Sequence, residues 1–441
     1  MEKIEYKPFG DTYGPLNVGK IGYHSKRIQP VLDGNCYDGV PVTVHLVPTM
    51  RCTHRCYFCT YGGAKERNSH SQSRQFDMPL DEMLNIIRQM SEHGIKGIIF
   101  TGGGEPTLYR ELPEAMAACR DANIDFSLNT NGSGLTPEFI RKVMRLEPTY
   151  LRVSLNAGSA EVQHLITGVD DFEKVLKKIE ILMREKILAK VRTTISVAFA
   201  VEILNLYDIK KLVDRLIDIE ARVRRDTGEK CQLVIVVRPV SNYENSKHYN
   251  EKRIQDIVRH LSKRGNGDEQ DFLRFMNETH QITAKHLDIA TEIIENEIRP
   301  MLAKTDTGVS LFYPSRKFAD LPRVKEKPYA RCYVLSWFMF IWPDGTVYPC
   351  IEWAGTPGFE IGNLRKQSLS EILNGSRRSE IIEWINNSVL HTRCAPICAH
   401  HETNCLLARI ADSANTSDRT DFINTVRILA EQSKPWDVNF L

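Results

Sequence analysis

From about residue 41 to 240 the chain alternates between short apolar runs and longer stretches with helical spacing. The apolar runs fall at 42–47, 96–101, 124–129, 150–155, 192–199 and 231–237. Rich in Val, Ile, Leu and Phe and bounded by polar residues, they read as strands. Between them, apolar positions recur at helical spacing over Leu80 to His93, Arg110 to Ala122 and Phe172 to Glu185. Pro113 and Pro137 fall in helix first turns, where a missing N–H costs nothing. Strand alternating with helix predicts parallel β/α units. The expected fold is therefore α/β, a partial (β/α)6 barrel open at one side, with its chemistry at the carboxyl ends of the strands.

Outside this core the pattern changes. Residues 1–40 are rich in turn formers and read as a lead-in. Residues 241–325 are polar and largely helical (Ile254 to Lys263, Ile282 to Leu302), an insertion or bridge. Two apolar runs around Pro343-Asp344-Gly345 predict a β-hairpin inside a smaller α+β domain over 326–410. The stretch 411–441, with Phe422, Val426 and Leu429 on one face, is expected to pack as a helix.

Three cysteines punctuate the first strand end: Cys52, Cys56 and Cys59, spaced Cys-x3-Cys-x2-Cys. Three thiolates this close can hold three corners of a cubane iron–sulfur cluster, leaving one iron without a protein ligand. An open position on a metal centre is where small molecules bind. A zinc knot is the alternative, although structural zinc usually takes four protein ligands. The second strand runs into Thr101-Gly102-Gly103-Gly104-Glu105-Pro106. Glycines there let backbone approach a ligand closely, and Glu105 can pair with an ammonium group.

With these two motifs in this order, each at a strand end, the chain resembles the radical S-adenosylmethionine (radical SAM) superfamily. The resemblance implies that Cys52, Cys56 and Cys59 ligate a 4Fe–4S cluster whose open iron chelates SAM. Phe58 then matches the aromatic beside the adenine. Gly103, Gly104 and Glu105 match the segment that holds the methionyl amine. Ser154 and Asn156 match strand-end groups that meet the ribose or carboxylate, and Arg192 is a candidate to neutralise that carboxylate. Ordinary strand-end polarity is the plain alternative for these last three. The implied chemistry is reductive cleavage of SAM to a 5′-deoxyadenosyl radical that abstracts hydrogen, with a flavodoxin or ferredoxin-type protein as electron donor.

A second cysteine group, Cys332, Cys350, Cys394, Cys398 and Cys405, occupies the last third. Cys332 to Cys350 fits Cys-x12-Gly-x4-Cys through Gly345, which resembles the start of SPASM and twitch domains. Those modules carry auxiliary iron–sulfur clusters. Their full pattern has seven cysteines; five here suffice for one auxiliary 4Fe–4S cluster. The expected ligands are Cys332, Cys350, Cys394 and Cys398, with Cys405 able to replace one or to serve as a spare thiol.

Composition narrows the rest. The 441-residue chain has 58 basic and 56 acidic residues and no basic block, which disfavours nucleic acid as partner. No apolar run approaches membrane-spanning length, so membrane insertion is not expected. Eleven cysteines without a signal peptide favour metal or redox chemistry in the cytoplasm over disulfides. The absence of a peptide-binding domain of the kind many peptide-modifying relatives carry favours a small-molecule substrate of sugar, aminocyclitol or nucleoside type. A peptide remains the alternative.

Overall fold

The computed structural model describes residues 18–24, 27–28, 30, 39–59, 61, 77–240, 257, 282–320, 326–395, 398–412 and 439–440. Of the sequence expectations, the helix over Ile254 to Lys263 and the amphipathic tail beyond 412 lie outside these residues, apart from Ile257, Asn439 and Phe440.

Six parallel strands form the expected core in chain order: β1 (Thr43–Leu46), β2 (Gly97–Phe100), β3 (Asp125–Thr130), β4 (Tyr150–Ser154), β5 (Thr194–Val201) and β6 (Leu233–Pro239). Helices α1 (Leu80–Glu92), α2 (Leu112–Asp121), α3 (Pro137–Met144), α4 (Ala160–Thr167), α5 (Phe172–Ala189) and α6 (Asp208–Thr227) join them. Local chemistry sets their ends. Thr136 accepts from Phe139 N ahead of Pro137, and Ser159 accepts from Val162 N, so each satisfies an orphan donor at a helix start. The apolar faces of these helices and the inner strands merge into one core.

Two departures from the sequence reading shape the site. The segment 241–325 is not solely a helical bridge. After α7 (Ala284–Glu292), whose course continues through a π-turn to Lys304, comes β7 (Val309–Phe312). It pairs in parallel with β6, Leu233 opposite Val309, and is followed by α8 (Ser315–Asp320). Four residues with a half-exposed pattern were too short a signal to stand out in a polar stretch. The C-terminal hairpin, β8 (Phe338–Ile341) and β9 (Thr346–Tyr348), also does not form a sheet of its own. β8 pairs in parallel with β1, Thr43 opposite Phe338, giving one ten-stranded sheet that ends in β10 (Gly362–Asn363). The hairpin turn is tight because Gly345 adopts φ 79°, a left-handed conformation, and Thr346 N donates to Asp344 Oδ1 at 3.0 Å. Helices α9 (Leu369–Asn374), α10 (Ser376–Trp384) and α11 (His401–Asp412) complete this part.

The amino ends of the first strands are closed from below by the chain's last described residues. Asn439 O accepts from Thr43 Oγ1 at 2.8 Å, and its side chain donates to Asp125 at 2.6 Å. Phe440 is fully buried against Ile99 and Tyr150, and Lys20 Nζ donates to its carbonyl. No helix of the described residues is long and apolar enough to cross a membrane.

Candidate active site

The carboxyl ends of the strands open into one cavity of about 380 Å³. Cys52, Cys56, Phe58, Cys59, Gly103, Gly104, Glu105, Ser154 and Asn156 all line it, so the structure gathers most of the sequence-predicted residues in one place. Arg192 is the correction. It precedes β5 at the amino end, is exposed and sits beside Glu147 at 3.5 Å. Being at a strand's start rather than its end, it is on the wrong side of the sheet. Arg152 and Arg238 are the arginines that line the cavity among the described residues, and Arg152 lies on the same strand as Ser154. Period-two alternation with Ser154 would have found it.

The cysteine loop is clamped on three sides. Gly104 N donates to Thr49 O at 3.0 Å and Glu105 N to Arg51 O at 2.7 Å, which fastens the glycine turn beneath the loop. A Cβ on Gly104 would come within 2.2 Å of Arg51 O, and one on Gly103 within 2.2 Å of Met50 Sδ, so only glycine fits. From α4, Thr167 O accepts from Arg55 N at 2.8 Å. Buried His54 meets Asp171 at 2.8 Å, and Gln163 donates to the other oxygen of Asp171 at 2.9 Å. Burial alone would raise the Asp171 carboxyl; the His54 and Gln163 hydrogen bonds outweigh it and hold it below the usual range. Tyr57 donates to Glu202, which is fully enclosed at the end of β5 and pushed up to about 8 by burial. None of these loop supports has a local sequence motif, because partners as far as 145 positions apart meet only in the fold.

Glu105 is buried and already bonded. Its Oε1 accepts from Thr107 N, Thr107 Oγ1 and Thr130 Oγ1, and its Oε2 from Asn131 N at 2.6 Å. One lone-pair site on Oε2 remains for a further donor. Asn131 Nδ2 in turn lies 3.7 Å from Cys52 Sγ. Asn156 Oδ1 accepts from Ala200 N at 2.7 Å, which leaves its Nδ2 amide to meet a ligand.

The later cysteines form a second group, with Cys332 and Cys398 buried and Cys350 and Cys394 half-buried. Cys332, Cys350, Cys394 and Cys398 lie within range of one another's charge, as expected from the sequence. Burial, reinforced by Cys398, pushes the Cys332 thiol up to about 12, and Cys350 and Cys394 also move up. Asn404 Nδ2 donates to Cys332 Sγ at 3.3 Å and Glu352 N to Cys350 Sγ at 3.4 Å. Burial would lower the Lys327 ammonium, but the surrounding Cys398, Glu352, Cys394 and Cys332 charges hold it above its usual value. Cys405, on α11, lies 3.5 Å from His401 Nε2 and, like Cys332 and Cys398, stands near Tyr329.

Three thiols on one loop and a second set of thiols further along are the donors that iron–sulfur clusters take. Among the described residues no three His, Cys, Asp or Glu side chains stand as a ready-made single-ion site. All the described cysteines are free of disulfides.

Comparison with known proteins agrees. Residues 46–216 match the Radical SAM superfamily model, and residues 332–405 match an iron–sulfur cluster-binding domain, SPASM. A probable GTP 3′,8-cyclase of Thermococcus kodakarensis is 33% identical over 32% of this chain and 44% of its own length. An Fe-coproporphyrin III synthase of Methanosarcina barkeri is 27% identical over 46% of this chain and 49% of its own. The chain thus spans under half the length of each. Streptococcus suis SuiB bound to its precursor peptide SuiA shares the fold at TM-score 0.54 and 15% identity, over 81% of this chain and 70% of that one.

Proposed function

Because the chain belongs to the radical SAM superfamily and carries a C-terminal SPASM iron–sulfur domain, we propose that this enzyme abstracts hydrogen from a small polar metabolite of sugar, aminocyclitol or nucleoside type, leading to dehydrogenation, dehydration or epimerisation. The observation that carries this reading is the continuity of one cavity. Its rim holds the cysteine loop and glycine turn, and its depth is lined by Arg152, His45 and Tyr150 from inside the barrel. A part-open cavity whose largely apolar wall carries a few convergent polar and charged groups suits a small polar metabolite.

Cys52, Cys56 and Cys59 would hold a 4Fe–4S cluster, and Gly103, Gly104, Glu105, Phe58, Ser154 and Asn156 would hold SAM. When bound, these cofactors supply one-electron cleavage of the sulfonium and a carbon radical able to take hydrogen from an unactivated carbon. The chain's own contribution is alignment and exclusion of water. Glycine backbone lies close enough to meet the methionyl end, Phe58 offers a face for the adenine, and Asn156 Nδ2 offers a donor. The barrel floor, sealed by Phe440, keeps solvent from entering below. Cys332, Cys350, Cys394 and Cys398 would fully ligate one auxiliary cluster, and Lys327 offsets the charge of their thiolates. A flavodoxin or ferredoxin-type protein would deliver the electron.

The test is anaerobic reconstitution with dithionite and SAM, following 5′-deoxyadenosine. Its rate should rise with added polar metabolites. A rise with added peptides alone would replace this reading with a peptide-modifying one, the activity the SuiB–SuiA pair represents. No 5′-deoxyadenosine under any condition would overturn both.

A further inference from the structure

The inner wall of the cavity concentrates basic groups from distant parts of the chain. Arg152 comes from β4, Arg238 from β6, Lys317 from α8 after β7, His45 from β1 and His400 from the turn before α11. Lys317 is only 9% exposed and makes no hydrogen bond among the described residues. His45 is half-buried, stacks on Phe340 at 5.5 Å between ring centres, and its Nδ1 is buried without a hydrogen-bond partner among the described residues. The guanidinium of Arg152 lies 4.8 Å over the Tyr150 ring.

These groups stand near one another. Burial and then Arg152 lower His45 to about 4, and His400 packs against Phe338 at 4.0 Å between ring centres. Burial and then Arg238 lower Lys317 to about 8. Against them the described lining offers two carboxylates, Glu402 facing Lys317 and Glu105, the latter already bonded to four donors. Arg152, Arg238 and Lys317 present like charge to one cavity, so an anion bound there would be attracted by all three. Arginine forks and a lysine point charge are the groups that recognise carboxylate and phosphate oxygens, and neutral imidazoles add N–H donors.

We propose that Arg152, Arg238 and Lys317, with His45 and His400, form a subsite for an anionic group, a carboxylate or phosphate, carried by the substrate. The inference rests on the metabolite reading above and narrows it: neutral sugars and aminocyclitols are excluded in favour of their acidic or phosphorylated counterparts.

Calorimetric titration of the anaerobically reconstituted protein tests it, with pyrophosphate in one arm and citrate in the other, and SAM titrated separately. Saturable binding of either probe is expected, and the arm that binds tells phosphate from carboxylate. K317M and R238Q should each weaken that binding at least about tenfold. The charge-preserving R238K should stay close to wild type, and SAM affinity should not change. K317M should also melt no lower than wild type without probe, because it removes a buried charge, so a folding failure cannot mimic the result. Absence of probe binding, or equal binding by the charge-removing variants, overturns the subsite. A parallel loss of SAM affinity also overturns it, by assigning these cations to the methionyl carboxylate. Failure of the wild type to bind or cleave SAM strikes the enzymatic reading instead, while probe binding still decides whether the anion subsite exists.

Discussion

The two cysteine groups differ in what surrounds the sulfur. Cys52, Cys56 and Cys59 are half-buried on a loop that lines the cavity, and no fourth cysteine stands nearby in sequence. Cys332 and Cys398 are buried, and the later group supplies four thiols under polar neighbours that point at the sulfurs. Burial makes each later thiolate costly unless a metal shares its charge. All three early thiols line the cavity, whereas of the later group Cys398 alone lines it among the described residues. On the reading proposed above, the first group would serve as a reaction centre and the second as a fully ligated auxiliary centre.

That contrast can be broken or sharpened, starting with the largest effect. Replacing Cys52, Cys56 and Cys59 together with Ala should abolish 5′-deoxyadenosine formation, with iron falling from about eight to about four per chain. Its melting temperature should hardly move. C332A should lose a similar amount of iron but cost about 4–5 kcal/mol in denaturant unfolding, since the loss falls inside a core. Equal stability losses in the two variants would erase the distinction. The loop's own support is pH-sensitive. Burial raises Glu202 to about 8 in the folded chain from an ordinary 4.5, so the folded state holds its proton longer than the unfolded state. Its contribution is complete below about 4.5 and is lost as pH rises through about 8, a swing on the order of 5 kcal/mol. The difference in stability between wild type and E202Q, measured across that window, should carry this slope; a flat difference would show that the carboxyl is not held protonated. Y57F, which removes the one hydroxyl donor to Glu202, should cost about 0.5–1.5 kcal/mol and blur the cluster's electron-paramagnetic signal while leaving its iron content intact.

Much of this was legible in the residues alone. The period-two runs gave six strands within about two residues, because fully buried parallel strands are nearly continuous apolar runs. The cysteine and glycine motifs could be read because each is contiguous in sequence. What escaped was long-range. β7 has four residues and only one buried position, so nothing in its composition marks it. The docking of β8 on β1 depends on edge pairing, which leaves no trace in either strand's pattern. Arg192 was placed on the wrong end because its polarity was visible and the direction of its strand relative to the cavity was not weighed. Glu352 accepts from Ala395 N at 2.7 Å beside the later cysteines, a contact between residues 43 positions apart that no local pattern marks.

The floor under the cavity also sets a schedule. Thr43 is tied to Asn439 across 396 positions, and Lys20 to Phe440 across 420. At roughly 5–20 residues per second, a ribosome needs about 20–80 s to make the second partner after the first. For roughly the first three-quarters of that interval β1 lacks its neighbour β8, and for all of it β1 lacks its seal. Contacts of such sequence separation are slow to close. The newborn enzyme thus has a long period in which iron can reach the cysteine loop from both sides, ending only when the last aromatic drops into place.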